Sequence, residues 1–133
     1  MVKAVVQSGK RKSSIARAVA RKGKGVVRIN SIRLDTYQSE IIRNLIAEPV
    51  EMAGKRMDKI DINVSVEGGG PMSQAEAVRT AIAKAITSYT DDDELKNMFM
   101  TYDRTLLVND TRRKEPKKPL GRGARKKRQK SYR

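Results

Sequence analysis

The stretch Lys59-Ile60-Asp61-Ile62-Asn63-Val64-Ser65-Val66-Glu67-Gly68-Gly69-Gly70-Pro71 decides the fold. Ile60, Ile62, Val64 and Val66 alternate with Asp61, Asn63, Ser65 and Glu67. A period of two in β-branched residues is a strand with one face in a core and the other wet or against polar partners. The glycines and Pro71 break that strand, and the spacing then changes. Val78, Ile82, Ile86 and Tyr89 form a helical stripe, with Ala77, Ala81 and Ala85 beside it. Such small residues let a helix approach a sheet closely. Ser73 with Glu76 three residues later reads as a capping box that starts this helix.

Upstream, Val2 to Ser8 reads as a short strand, and Gly9-Lys10-Arg11-Lys12-Ser13-Ser14 as a cationic turn. From Ile15 to Arg21, Ile15, Arg17, Val19 and Arg21 alternate with Ala16, Ala18 and Ala20, which favours a strand. Lys22-Gly23-Lys24-Gly25 then closes a hairpin, with Val26-Val27-Arg28-Ile29 returning beside it, and Asn30-Ser31 is a second turn signal. Tyr37, Ile41, Ile42, Leu45 and Ile46 have helical spacing, and Pro49 ends or bends that helix. Val50 and Met52 add a further turn before Gly54. Downstream, Asp91 with Glu94 caps a short helix whose apolar face is Leu95, Met98, Phe99 and Tyr102. Leu106-Leu107-Val108 reads as a last strand or extended piece. Strands followed by helices crossing a mixed sheet make an α+β, or two-layer α/β, domain over residues 1–110.

Charge is sorted along the 133 residues. Residues 1–34 carry +10 with no acid, 35–110 carry −6, and 111–133 carry +11 of the formal +15. The segment from Thr111 to Arg133 has Leu120 as its only large aliphatic residue, and Pro116, Pro119, Gly121 and Gly123 interrupt it. It cannot bury enough apolar surface to offset its ordering entropy, so it is expected to be an extended tail that stays disordered without a polyanion. Basic arms around a mildly acidic centre describe a scaffold that presents cations to nucleic acid.

With no histidine and no cysteine, serine–histidine and cysteine–histidine catalysis, disulfides and ordinary zinc sites are closed. No metal or cofactor is expected. Asp91, Asp92, Asp93 and Glu94 sit where first-turn acids oppose a helix dipole, which favours capping over metal binding. No lysine follows Gly68-Gly69-Gly70, and around Gly9-Lys10 the spacing fails as well, with Ala4 for the first glycine and Arg11 for the hydroxyl residue. A nucleotide-dependent enzyme, such as a small kinase, is therefore disfavoured. The triple glycine lets backbone approach an RNA phosphate or a neighbouring strand, or it is a plain strand-to-helix turn. No apolar run approaches the roughly 20 residues that span a bilayer, and the apolar part of the N-terminus is too short for a signal peptide. A soluble intracellular protein without a membrane partner is expected.

The candidate ribonucleic acid contacts are the cations. Lys10, Arg11, Lys12, Arg17, Arg21, Lys22, Lys24 and Arg28 gather on one hairpin and its entry turn, before the first acid, Asp35. The tail adds Arg112, Arg113, Lys114, Lys117, Lys118, Arg122, Arg125, Lys126 and Lys127. Phosphates would satisfy them and release counterions. Apart from Tyr132 both arms lack aromatics, so phosphate and shape recognition of folded RNA fits better than base stacking. A DNA-compacting architectural protein is the alternative, but the tail offers no Phe, Ile or Met to wedge between bases.

Three stretches resemble the S-nine family of small-subunit ribosomal proteins. They are Ser8-Gly9-Lys10-Arg11-Lys12-Ser13-Ser14-Ile15-Ala16-Arg17; then Gly68-Gly69-Gly70 with Ser73-Gln74, Ala77, Ala81 and Ala83-Lys84-Ala85-Ile86; and Gly123 to Arg133. The ending Ser131-Tyr132-Arg133, where bacterial members end Ser-Lys-Arg, is similar to the archaeal and eukaryotic branch. The resemblance implies a ribosomal S-five second-domain-like fold with a left-handed β-α-β crossover and no catalysed reaction. It implies a cytoplasmic, ribosome-bound protein whose domain binds ribosomal RNA in the small-subunit head beside neighbouring ribosomal proteins. It also implies that the tail reaches the anticodon stem-loop of the peptidyl-site tRNA with Arg128, Lys130, Ser131, Tyr132 and Arg133. A fully extended tail of this length spans up to roughly 75 Å, ample for such a path.

Overall fold

The computed structural model describes residues 3–126, and among them builds five strands and three α-helices. Strands β1 (Ala4–Arg11) and β2 (Ser14–Lys22) form an antiparallel hairpin that pairs Val6 with Val19 and Lys10 with Ile15. The cationic turn is shorter than expected. Gly9, Lys10 and Arg11 belong to β1, and only Lys12-Ser13 turn, with Lys12 at φ 53°. This matters because neighbours in a strand face opposite ways, so Lys10 and Arg11 lie on different sides of the sheet. Strands β3 (Val27–Ile29) and β4 (Ile32–Arg33) form a second hairpin. Its turn residues Asn30 and Ser31 have φ 49° and 70°, the positive pair that suits a tight hairpin.

Strand β5 (Ile60–Glu67) lies between the two hairpins, giving the sheet order β1-β2-β5-β3-β4. Val27 therefore does not return beside β2 as expected from the Gly-Lys-Gly turn. It pairs parallel with Ile62, while β2 pairs antiparallel with β5, Ala18 opposite Val64. Asp61 explains the difference. Its carboxylate accepts the backbone N–H of Lys24 at 2.8 Å and of Val26 at 3.0 Å, wrapping the loop over β5. A side chain at Gly23 would collide with that carboxylate. These N–H donors, Val26 first and Lys24 next, hold the Asp61 carboxyl below its ordinary pKa.

A parallel neighbour requires a crossover, and helix α1 (Glu40–Ala53) supplies it. Helix α1 runs through Pro49 and stops at Gly54, whose φ is 57°. Ile42, Ile46, Pro49 and Ala53 are its buried stripe, whereas Ile41 is 72% exposed. Helix α2 (Pro71–Thr90) starts earlier than the capping box predicts. Gly70 is its N-cap, Pro71 opens it without needing an N–H bond, and no side chain caps it. Asp91, in the left-handed conformation, ends α2, and its neighbour Asp92 caps helix α3 (Asp93–Tyr102). The Asp92 carboxylate accepts the N–H groups of Glu94 and Leu95, so the acids are caps, shifted one residue from expectation. Leu106 is buried at the end of a single 3-10 turn (Arg104–Leu106), so the expected last strand is absent among the described residues.

The helices cover one face of the sheet, which makes two layers around one core. Helix α2 lies against β1 and β2, where the middle of the sheet presents Gly9, Ala16, Ala18 and Ala20 and the helix presents Ala77 and Ala81. Removing bulk on both sides brings the two backbones together. A Cβ at Gly9 would collide with the Ala77 carbonyl and the Ala81 N–H, which are backbone and cannot step aside. Gly9→Ala is therefore expected to cost about 1–3 kcal/mol through overpacking, read as a lower denaturant midpoint with an unchanged slope. A midpoint equal to the parent's would mean that α2 slides freely on the sheet.

The triple glycine serves the neighbouring hairpin. Gly68 and Gly69 have φ 81° and 66°, and the buried Ser14 hydroxyl donates to the Gly68 carbonyl at 2.8 Å. A Cβ on Gly69 would strike that hydroxyl. Of the readings open from sequence, close approach to a neighbouring strand is the one this geometry favours for those two residues. Gly70 faces open space.

Candidate nucleic-acid interface

The strand register sorts side chains between the helix-covered face and the open one. On the open face stand Val6, Ser8 and Lys10 from β1, and Ile15, Arg17, Val19 and Arg21 from β2. Asp61, Asn63, Ser65 and Glu67 come from β5, with Arg28 from β3 and Arg33 opposite it on β4. No described helix covers this surface. Lys10, Arg17, Arg21 and Arg28 are exposed and form no ion pair among the described residues. Asp61 is already occupied by the 24–26 backbone, which leaves Glu67 the other acid of the face. A shallow depression of about 700 Å³ between Arg17, Arg28, Asn30, Asn63 and Ser65 lies within it. Such a surface can take phosphates through its cations and riboses through its polar and short apolar side chains.

The remaining cations of the first arm divide. Lys12 is exposed at the β1–β2 turn, and Lys22 and Lys24 are exposed at the opposite end of β2. Arg11 is different. It faces the helices, its Nε lies 2.7 Å from Glu76 on α2, and only 15% of its side chain is exposed. The absence of acids before Asp35 thus did not leave Arg11 unpaired, because the fold brings Glu76 and Asp110 to it.

The tail cations leave from the same end of the sheet. A parallel bridge joins Asp110 to Arg11, and residues 111–126 follow without helix or strand. Arg112, Arg113, Lys114, Lys117, Lys118, Arg122, Arg125 and Lys126 are all exposed. Two of them meet acids. Arg112 bonds Asp110, whose side chain is largely buried, at 2.7 Å, and Arg125 bonds Glu115 at 2.8 Å as a solvent-facing pair of small energetic weight. Lys127, Arg128, Lys130, Ser131, Tyr132 and Arg133 lie outside the described residues.

Two arginines were missed in the sequence. Arg33 joins the open face, paired to Asp35 at 3.3 Å. The Asn30-Ser31 turn signal would have found it, since that hairpin sets Arg33 opposite Arg28. Arg79 is buried within α2 and binds Glu48 of α1 at 2.8 Å, Asp103 at 3.1 Å and Thr105 at 3.4 Å. It lines a cleft of about 710 Å³ with Arg11, Glu48, Glu76, Asp103 and Asp110. The arginines of that cleft already have carboxylate partners, so it is a structural ionic node and a poor anion site. Among the described residues no His, Cys, Asp or Glu group could hold a metal ion, and no helix is long and apolar enough to cross a membrane.

Comparison with known proteins bears on this arrangement. The model of a family described as ribosomal protein S9/S16 matches residues 9–133. The chain is 54% identical over 129 residues to the small ribosomal subunit protein uS9 of Thermoplasma volcanium, covering 97% of this chain and 98% of that one. The protein of the same name from Thermoplasma acidophilum is also 54% identical, over 97% of this chain and all of its own. That of Methanococcus maripaludis is 48% identical over 99% of this chain and all of its own.

Proposed function

The chain belongs to the ribosomal protein S9/S16 family, and from that premise we propose that it binds ribosomal RNA in the head of the small subunit and reaches the peptidyl-site tRNA with its tail. Membership makes it a structural constituent of the small ribosomal subunit and not an enzyme. Lys10, Arg17, Arg21 and Arg28 on the open sheet face, with Lys12, Lys22 and Lys24 at its ends, neutralise phosphates of folded RNA. The tail cations from Arg112 to Lys127 follow the RNA away from the domain, and Arg128, Lys130, Ser131, Tyr132 and Arg133 meet the anticodon stem-loop. The protein acts in the cytoplasmic ribosome among neighbouring proteins of the head. The observation that carries this reading is the set of four same-face cations that form no ion pair among the described residues. A phosphate backbone supplies what the protein does not.

Deleting Ser131, Tyr132 and Arg133 tests the tRNA half. The domain's buried core ends at Leu106 among the described residues, so the melting temperature and the ribosomal RNA affinity should stay unchanged. Retention of peptidyl-site tRNA by subunits carrying the truncated protein should weaken by roughly 1.5–3 kcal/mol, one charge-assisted contact. Filter binding of tRNA measures it, and equal dissociation rates with and without the tip would remove the tRNA contact.

A further inference from the structure

The root of the tail is fastened to the domain, and the Arg11 guanidinium links it to both β1 and α2. Arg11 projects from the helix-facing side of β1. Its Nε meets Glu76 of α2 at 2.7 Å and lies 3.8 Å from the Asp110 carboxylate, while its Nη1 donates to the Arg112 carbonyl at 3.0 Å. The backbone of Asp110 bridges in parallel to Arg11 itself. One residue earlier, Asn109 is held from two sides. Its Oδ1 accepts from the Lys10 N–H at 3.4 Å and from the Lys84 ammonium of α2 at 3.2 Å. The same ammonium donates to the Ser8 carbonyl at 3.1 Å. Asp110 in turn accepts the Arg112 N–H at 3.0 Å. Strand β1, helix α2 and residues 109–112 are thus tied together where the regular structure ends.

Burial separates these groups from ordinary cation sites. The side chains of Arg11 and Asp110 are only 15% and 14% exposed, so the pair is shielded from salt. A planar fork can serve a carboxylate and a carbonyl together, which an ammonium cannot do in one geometry. From Thr111 onward the described tail residues are mostly exposed. The tail therefore leaves the domain from a fixed point and in a fixed direction, and without these bonds its nearest buried anchor would be Leu106.

We propose that Arg11, with Glu76, Asp110 and Lys84, is a clasp that orients the tail for its RNA partner, so that Arg11 is a positioning residue and not a phosphate contact. The proposal rests on the reading that the tail acts on RNA. A long basic segment starting from a set direction loses less freedom on binding than one pivoting freely, and pre-organisation of this kind strengthens binding without any new contact.

The test compares Arg11→Gln, Arg11→Lys and Glu76→Gln in the full chain. Amide exchange at Asn109 to Arg112 in the free protein reads the clasp directly, without RNA. Arg11→Gln should accelerate it by about tenfold or more, the equivalent of losing one hydrogen-bonded charge. In small subunits carrying the variant, tRNA dissociation should quicken on the order of threefold, consistent with lost pre-organisation. The salt slope of ribosomal RNA binding should remain that of the parent. Arg11→Lys should not restore slow exchange, because its ammonium lacks the fork. Unchanged exchange at 109–112 would overturn the clasp, and a salt slope lowered by roughly 0.7–0.9 would make Arg11 a phosphate contact instead. Faster exchange with tRNA dissociation equal to the parent's would overturn the orienting role. Should Arg11→Gln fail to fold, Glu76→Gln, which removes the carboxylate partner of the Arg11 Nε, carries the same expectations. If deletion of the tail tip leaves tRNA retention unaffected while exchange still responds to Arg11→Gln, the tRNA reading fails and the clasp stands.

Discussion

Ile82→Ala is expected to lower the stability of the domain by roughly 2–5 kcal/mol. Ile82 is fully buried on α2, within a core shared with Ile62 and Val64 of β5. Much of that core is alanine, so the isoleucines supply much of its apolar volume, and the sheet cannot close on a cavity because Gly9 and the alanines already hold α2 at contact distance. Natural domains hold only about 5–15 kcal/mol in total, so the loss removes a large share of it. Thermal unfolding monitored by circular dichroism reads the effect. A melting curve that overlays the parent's would contradict the burial of this helix face.

Replacing Lys10, Arg17, Arg21 and Arg28 together by glutamine is expected to have the largest effect on RNA. Each lost phosphate contact removes roughly 0.7–0.9 from the log–log slope of affinity against salt. If all four make one contact, a fourfold rise in salt should cost the variant roughly 50–150-fold less affinity than it costs the parent, with weaker binding at low salt as the corollary. The four side chains are exposed and carry no ion pair among the described residues, so the fold should survive. Titration of a small-subunit RNA fragment at several salt concentrations gives the slope directly. A parallel pair of slopes would move the RNA surface off the open sheet face and onto the tail alone.

Local pattern was readable wherever it reports on one element. The alternation in Ile60 to Val66 placed β5 and its buried side, and that in Ile15 to Arg21 placed β2, whose buried side the structure gives to the alanines. Their side-chain period is a direct consequence of strand geometry. What sequence could not give was which strands are neighbours. Lys22-Gly23-Lys24-Gly25 has the chemistry of a hairpin, and only Asp61, far along the chain, reveals that the loop instead wraps over β5. The same holds for the site. Counting charge by segment marked the basic arms, yet Arg11 looked unpaired because Glu76 and Asp110 are distant in sequence and close only in the fold. Arg79 was invisible for a related reason, since its partners Glu48 and Asp103 come from other elements. At Ser73 and Glu76 the local signal was real but lost to competition: Gly70 and Pro71 start the helix, and Glu76 is drawn to Arg11.

The strand order also sets a timetable. Among the described residues strand β5 is the middle of the sheet but the last strand to be synthesised, so the first two hairpins emerge with nothing to join them. Each has an open edge and a bare apolar face until Glu67 has left the synthetic machinery, and α2 completes the cover only some twenty residues later. Closing a sheet through such distant pairings is slow compared with local helix formation. During that interval the nascent chain carries ten cations and no acid in its first 34 residues, a species that adheres to any polyanion and offers unpaired edges to its neighbours. The topology thus leaves the edges of both hairpins unpaired for longer than a sheet built from consecutive strands would.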